Sequence, residues 1–272
     1  MSMSAKKMSM ADKADKHVLY EISVQDVSTE IDFIKETYSR LRGTSPELVR
    51  EDFCGTANFC KHWVEDNINH RAIGVDIDSS VLNWGKLNHL NQLSSEQKKR
   101  VELIEGDVLT TQTEKADVNV AMNFSYWIFK TREQLRHYYA QVRKHIKEDG
   151  IFILDCFGGS ESFEVLKEKT KHKKHGFTYI WEQASYNPVN GDYICHIHFK
   201  FKDGSKMKKA FTYEWRLWTL PEIQELLLEA GFSQVDVYWE EEDDDGEGTG
   251  VYKPTKVGQP DAGWIAYLVA QA

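Results

Sequence analysis

Five apolar, strand-like runs occupy the first 160 residues, and each closes on acidic or polar side chains. LVRED ends at Glu51 and Asp52, RAIGVDID carries Asp76, and RVELIEGD ends at Asp107. ADVNVAMNF runs into Asn123 and Ser125, and IFILDCFG carries Asp155. Chance would not readily put a polar group at the end of every run. An acid about twenty residues beyond a glycine turn suits a ribose diol, because one carboxylate accepts from both hydroxyls. Here the turn is Cys54-Gly55-Thr56 and the acid is Asp76. A further acid after the third run, Asp107, fits an adenine amino group. The chemistry these residues suit is recognition of an adenosine.

The loop itself, LVREDFCGTANFC, narrows the choice. It holds one glycine, Gly55, with Phe53 and Ala57 where nucleotide loops usually carry two more. A pyrophosphate needs close backbone approach and a free helix N-terminus, and Thr56, Ala57 and Asn58 crowd that approach. S-adenosylmethionine has no phosphate, so one tight turn beneath its methionine part is enough. On these residues adenosylmethionine fits better than a dinucleotide such as NAD.

These groups must be placed by regular elements. DVSTEIDFIKETYSRLRG, from about 26, predicts a helix with Ile31, Ile34, Tyr38 and Leu41 on one face, Ser28 or Thr29 at its start and Gly43 at its stop. Strands then alternate with helices through a helix at 131–150 and a strand at 151–158, which implies βαβ units and a parallel sheet. The pattern breaks at 177–218, where three strand-like runs are separated by the turn signals PVNGD and KDGSK. A helix at 219–232 and two closing strands complete the expected fold. It is an α/β, doubly wound, Rossmann-like, mostly parallel seven-stranded sheet with an antiparallel β insertion at about 177–215. Residues 1–16 are expected to be an unordered tail and 17–272 one domain. The acidic run EEEDDDGEG at 240–248 reads as a disordered loop, and the basic run KEKTKHKKH at 167–175 as a solvated helix end.

Composition bounds the partners. The 272 residues carry a net charge of −9 and a pI near 5.6, so no basic footprint for nucleic acid is evident. No apolar run is long enough to span a bilayer, and the N-terminus lacks the apolar centre of a secretion signal, so a cytoplasmic location is expected. Cys54, Cys60, Cys156 and Cys195 form no C-x-x-C pair and read as reduced thiols. Cys54 reads as a packed turn thiol rather than a nucleophile. His196 and His198 share one strand face but lack further ligands, so no metal is expected.

E-D-F-C-G-T-A (51–57), G-V-D-I-D (74–78) and E-G-D-V (105–108), in that order, resemble the motifs of class I S-adenosylmethionine-dependent methyltransferases. R-E-D-F-C-G-T with F-x-Y-x-W-R-L-W-x-L-P-E (211–222) looks like a less characterised bacterial branch of that superfamily. The resemblance implies that Glu51 and Gly55 hold the methionine end, Asp76 and Ile77 the ribose segment, and Asp107 with Val108 the adenine. It further implies that Tyr20 and Gln25, before the first helix, cover the cofactor, and that Asn123 contributes to its site. Asp155 and Tyr126 are the expected catalytic groups, at the sheet edge with Asn123 and Ser125. The implied reaction is methyl transfer to a small-molecule acceptor, and Trp181 and Glu182 of the insertion are candidates to select it. Two alternatives stay open: an NAD-dependent oxidoreductase, or a non-catalytic adenosyl-ligand binder that uses the insertion as a partner surface. A homodimer contact is another use for that insertion.

Overall fold

The computed structural model describes residues 8–243, 246 and 248–272. Its strands are β1 (Leu48–Asp52), β2 (Arg71–Asp76), β3 (Val101–Glu105), β4 (Ala116–Ala121), β5 (Ile146–Gly158), β6 (Leu166–His172), β7 (Phe177–Tyr186), β8 (Asp192–Phe201), β9 (Lys206–Arg216), β10 (Gln234–Glu242), β11 (Gly248–Thr255) and β12 (Trp264–Gln271). The α-helices are α1 (Met10–Lys13), α2 (Lys16–Val24), α3 (Val27–Arg42), α4 (Asn58–Asp66), α5 (Ser79–Asn88), α6 (Ser95–Lys98), α7 (Arg132–His145) and α8 (Leu220–Glu229). They divide between two units. The larger comprises Asp26–Glu161 and Trp218–Ala272; the smaller joins the described part of Met1–Gln25 to Ser162–Leu217.

The larger unit is built on one sheet in the order β11-β10-β12-β5-β4-β1-β2-β3. β1 to β5 run parallel, while β12 and β10 add antiparallel beyond β5. All five residues of β1 and all six of β4 are buried, as expected for strands covered on both faces. β1 pairs with β2 on one side and β4 on the other, so the strand order reverses there. The C-terminal ends of these strands, where an open α/β sheet binds ligands, carry Glu51 and the turn at Asn123. α3 covers this sheet with Ile31, Ile34 and Tyr38, begins at Asp26 rather than Ser28 or Thr29, and stops at the left-handed Gly43.

One buried ion pair stiffens β1. Arg50 and Asp52 are both about 1% exposed, and the Arg50 Nε–H donates to Asp52 Oδ1 at 2.8 Å. Tyr138 Oη and Asn119 Nδ2 also donate to Asp52 Oδ2, at 3.0 and 3.3 Å, and Arg50 Nη1 reaches Thr113 Oγ1 at 3.0 Å. Neither charge is left without partners, which is the condition for tolerating a buried pair.

The smaller unit is a four-stranded antiparallel sheet, β6-β7-β8-β9. Phe177, Ile197, Phe199 and Phe201 project from one face, and Leu19 of α2 joins them in the core. The left-handed Gly191 and Gly204 sit in the two turns that the sequence marks. On the opposite face His198 Nε2 meets Glu182 Oε2 at 2.6 Å, and His198 Nδ1 accepts the Lys209 N–H at 3.0 Å. His196 contacts Thr212 Oγ1 at 3.0 Å.

Four local expectations change. The basic run at 167–175 is no helix end: most of it is the edge strand β6, whose Lys167, Lys169 and Lys171 point off the sheet. Lysines on an edge strand deter pairing with another chain, and their density hides the strand's period. The helix at 131–150 ends at His145, and Ile146–Gly150 begins β5 through the pairing of Ile146 with Ala116. The expected acidic loop is partly strand: Glu240–Glu242 extend β10, which pairs with β11, an eighth strand of the sheet. Positions 244, 245 and 247 of that run lie outside the described residues. Of the expected tail, residues 1–7 also lie outside them, but Met10–Lys13 is helical. Ser9 and Asp12 form a reciprocal cap, and the Met10 N–H donates to Asp203 Oδ2 at 2.8 Å.

Asp52→Ala leaves the Arg50 guanidinium buried and unpaired. Stability measured by denaturant titration should fall by roughly 3–5 kcal/mol, the range for breaking a buried pair from one side. A loss below about 1 kcal/mol, the range of exposed pairs, would show that water already reaches this pair.

Candidate functional site

The loop after β1 resolves how one glycine serves where three are usual. Phe53, Gly55 and Ala57 all adopt left-handed backbone, with φ of 59°, 53° and 58°. For an L-residue this costs roughly 1–2 kcal/mol, and tertiary contacts hold Phe53 and Ala57 there. The Cys54 N–H donates to Val75 O at 3.0 Å, and the Ala57 N–H to Cys54 O at 2.8 Å. The Phe53 ring lies 5.6 Å from that of Tyr138. From α5, Gly85 lets the helix approach so closely that a Cβ would stand 2.1 Å from Thr56 O. A Cβ on Gly55, by contrast, would meet nothing within 4 Å, so the loop faces open space at that residue.

Asp76 fastens this loop to β2. Its Oδ2 accepts the Gly55 N–H at 2.8 Å, and its Oδ1 accepts the Asp78 N–H at 2.9 Å. Burial still holds its carboxyl above the usual range. It is therefore an anchored group and not a solvated strand end. Ile77 beside it is 72% exposed. Asp107 is exposed after β3, its Oδ1 accepting the Leu109 N–H at 2.9 Å, while Val108 is buried next to it.

Asp155 is also held by backbone. It accepts the Asn123 N–H at 2.7 Å and the Phe124 N–H at 2.9 Å, both from left-handed residues. Burial pushes its carboxyl up to about 7. Tyr126 is fully buried, and its hydroxyl donates to Asp155 O at 2.7 Å. Burial raises that hydroxyl well above the ordinary tyrosine range, so the group holds its proton. Ser125 Oγ donates to Met122 O at 2.9 Å. Together these contacts fix the turn between β4 and α7.

Glu51 is buried, accepts the Cys60 thiol at 3.1 Å, and is pushed up to about 8 by burial and by neighbouring acids. Among those neighbours is Glu30 of α3, which the sequence reading passed over. Glu30 is 9% exposed, and burial, then Asp155 and Asp26, push it up to about 8. A signal was present, since Glu30 lies at helical spacing from Val27, Phe33 and Ile34 and so on the apolar face. Glu30, Glu51, Asp76 and Asp155 thus converge at the sheet's C-terminal edge. Among the described residues no lysine or arginine pairs with any of them.

Tyr20 and Gln25 belong to the smaller unit, where the Tyr20 ring lies 5.0 Å from Phe211 and the Gln25 N–H closes α2 on Glu21 O. Cys54 is buried and its thiol is pushed well above the usual range by burial and nearby carboxylates. A thiol so held is a poor nucleophile.

Residues 54–152 match the family model of a methyltransferase domain. No curated protein matches the chain. Among solved structures, an S-adenosylmethionine-dependent methyltransferase from Clostridium acetobutylicum is 19% identical with a TM-score of 0.67, over 94% of this chain and 97% of that one. An amino pentose methyltransferase from Micromonospora echinaspora is 12% identical with a TM-score of 0.64, over 94% and 96%. A sugar N-methyltransferase from a Streptoalloteichus species is 15% identical with a TM-score of 0.60, over 100% and 97%. These likenesses establish a shared fold with those three proteins. The left-handed loop, Asp76 and Asp107 stand at successive strand ends, in the order in which they occur in the sequence. No helix among the described residues is long and apolar enough to cross a membrane.

The buried acids set a pH dependence. A carboxyl whose pKa is higher folded than unfolded binds extra protons in the native state between those two values, so stability falls as pH rises through that window. For Glu30 and Glu51 the window runs from the ordinary 4.5 to about 8. The melting temperature of the ligand-free protein should therefore decline between about pH 5 and pH 8. Glu51→Gln should flatten that decline; an equally steep profile in the variant would show that other groups cause it.

Proposed function

We propose that the protein transfers the methyl group of S-adenosylmethionine to a nucleophile on a small molecule. The observation that carries this reading is the set of four acids without cationic partners near a loop that is open at Gly55. Adenosylmethionine carries a sulfonium, an ammonium and one carboxylate, hence one net positive charge. A dinucleotide brings phosphates, for which these acids offer no cationic partner. The charge of the site thus favours a methyl donor over NAD.

In this reading Asp76 accepts from the ribose hydroxyls while its backbone contacts keep it fixed. Gly55 and Glu51 hold the methionine end, Asp107 and Val108 the adenine edge, and exposed Ile77 packs against the adenosine. The bound cofactor supplies an electrophilic carbon whose bond to sulfur breaks as the acceptor's lone pair attacks, the electron pair staying on sulfur. The protein's main contribution is alignment. Asp155 and Tyr126 act through the turn they hold, which places Asn123 and Ser125 at the mouth of β4. That role makes them positioning residues rather than proton carriers. The amino pentose and sugar enzymes among the structural relatives support a small polar acceptor.

Calorimetric titration with adenosylmethionine, adenosylhomocysteine and NAD tests the cofactor, and mass detection of methylated products across a metabolite pool tests the transfer. Tighter or equal binding of NAD overturns the reading. Asp76→Ala should weaken adenosylmethionine binding by roughly 1.5–3 kcal/mol, the scale of hydrogen bonds to a charged group. It should also lower the melting temperature of the ligand-free protein, because the Gly55 and Asp78 N–H groups lose their acceptor. An unchanged dissociation constant would confine Asp76 to holding the loop.

A further inference from the structure

Glu30 stands apart from the other acids of the site. Glu51 accepts a thiol, and Asp76 and Asp155 each accept two backbone N–H groups. The Glu30 carboxylate accepts no hydrogen bond among the described residues, although the residue is 9% exposed. An unpartnered carboxylate in a residue buried to this degree is costly when charged, so such a group is kept neutral or meets a cation. Its surroundings supply none. The titratable groups around it are Asp26 at the start of α3, Glu51 on β1, Asp155 on β5 and Tyr267 on β12. Glu51 lies near the end of β1 and Asp155 just past the last residue of β5 that pairs with β4, so two of the acids that couple to Glu30 flank the end of β4. There the methionine end of a cofactor fastened at Gly55 and Asp76 would point.

We infer that Glu30 is the specificity-determining residue that reads the cofactor's positive charge, giving up its proton when a sulfonium is bound and recovering it when the sulfonium is lost. The inference rests on the cofactor assignment above and adds a property of one side chain. Methyl transfer turns the sulfonium into a neutral sulfide, so the spent cofactor no longer offsets a charged Glu30. The site then takes a proton from water and holds adenosylhomocysteine less tightly than adenosylmethionine. Discrimination between fresh and spent cofactor follows from one unpaired carboxylate, without movement of the chain.

The test is calorimetry on the full-length protein at pH 7, with each ligand titrated in two buffers of different ionisation enthalpy, which counts protons exchanged on binding. Adenosylmethionine should release roughly half a proton or more per site beyond any released by adenosylhomocysteine, since Glu30 begins protonated. Glu30→Gln, which mimics the neutral acid, should abolish that difference. It should weaken adenosylmethionine at pH 8 by about tenfold while changing adenosylhomocysteine less than about twofold, one pKa unit being a tenfold effect. Glu30→Asp, checked for folding by circular dichroism, should retain part of the proton release. Equal proton release by the two ligands in the unaltered protein overturns the inference, as does a difference that survives in Glu30→Gln. Failure of both ligands to bind overturns the cofactor assignment instead.

Discussion

The hydrogen bond from the Gly55 N–H to the Asp76 carboxylate ties the loop after the first strand to the end of the second. Much of the site depends on it. Without that acceptor, three nearly consecutive left-handed residues, two of them L-amino acids, would have little to hold them, and the turn could relax toward extended backbone. The same carboxylate also accepts from Asp78, the residue that caps α5. One side chain thereby sets the loop, the start of the following helix and the ribose end of the proposed cofactor site. Gly85 completes the arrangement by letting α5 touch Thr56.

The sheet beneath is organised so that charge is either matched or deliberately exposed to a ligand. On one face of β1 Arg50 and Asp52 are buried together, with tyrosine, asparagine and threonine satisfying what the pair leaves open. On the opposite face Glu51 is buried with no cation, close to Glu30 and Asp76. Adjacent residues of one strand therefore sit in opposite electrostatic situations. The matched pair is satisfied within the fold, whereas burial raises the pKa of the unmatched acids; in the proposed function they would favour a cationic ligand.

Sheet edges are handled by charge. β6 carries alternating lysines at the edge of the small sheet, and Glu240–Glu242, the start of the acidic run, lie on β10 beside the edge strand β11 of the large one. Both stretches look like solvated loops or helix ends by composition. Edge strands need only one neighbour and tolerate charge on every exposed position, which removes the apolar alternation that marks a strand.

By itself the sequence determined the order of elements, the parallel sheet and the polar group at each strand end, because buried strands are apolar runs and their ends must meet water or a ligand. It also marked Gly55, Asp76 and Asp107 by spacing along βαβ units of nearly constant length. It left β6 and β11 hidden, since their pairing is set by partners distant in the chain. It left Glu30 unremarked, because an acid on an amphipathic helix gains its meaning only from what the helix covers. Nor could it say how Phe53 and Ala57 replace glycine. A residue's own preference opposes the left-handed region, and only contacts from Val75, Asp76, Gly85 and Tyr138, brought together by folding, hold the loop there. Local propensity is read from neighbours in sequence, whereas strain, burial of charge and edge pairing are decided by neighbours in space.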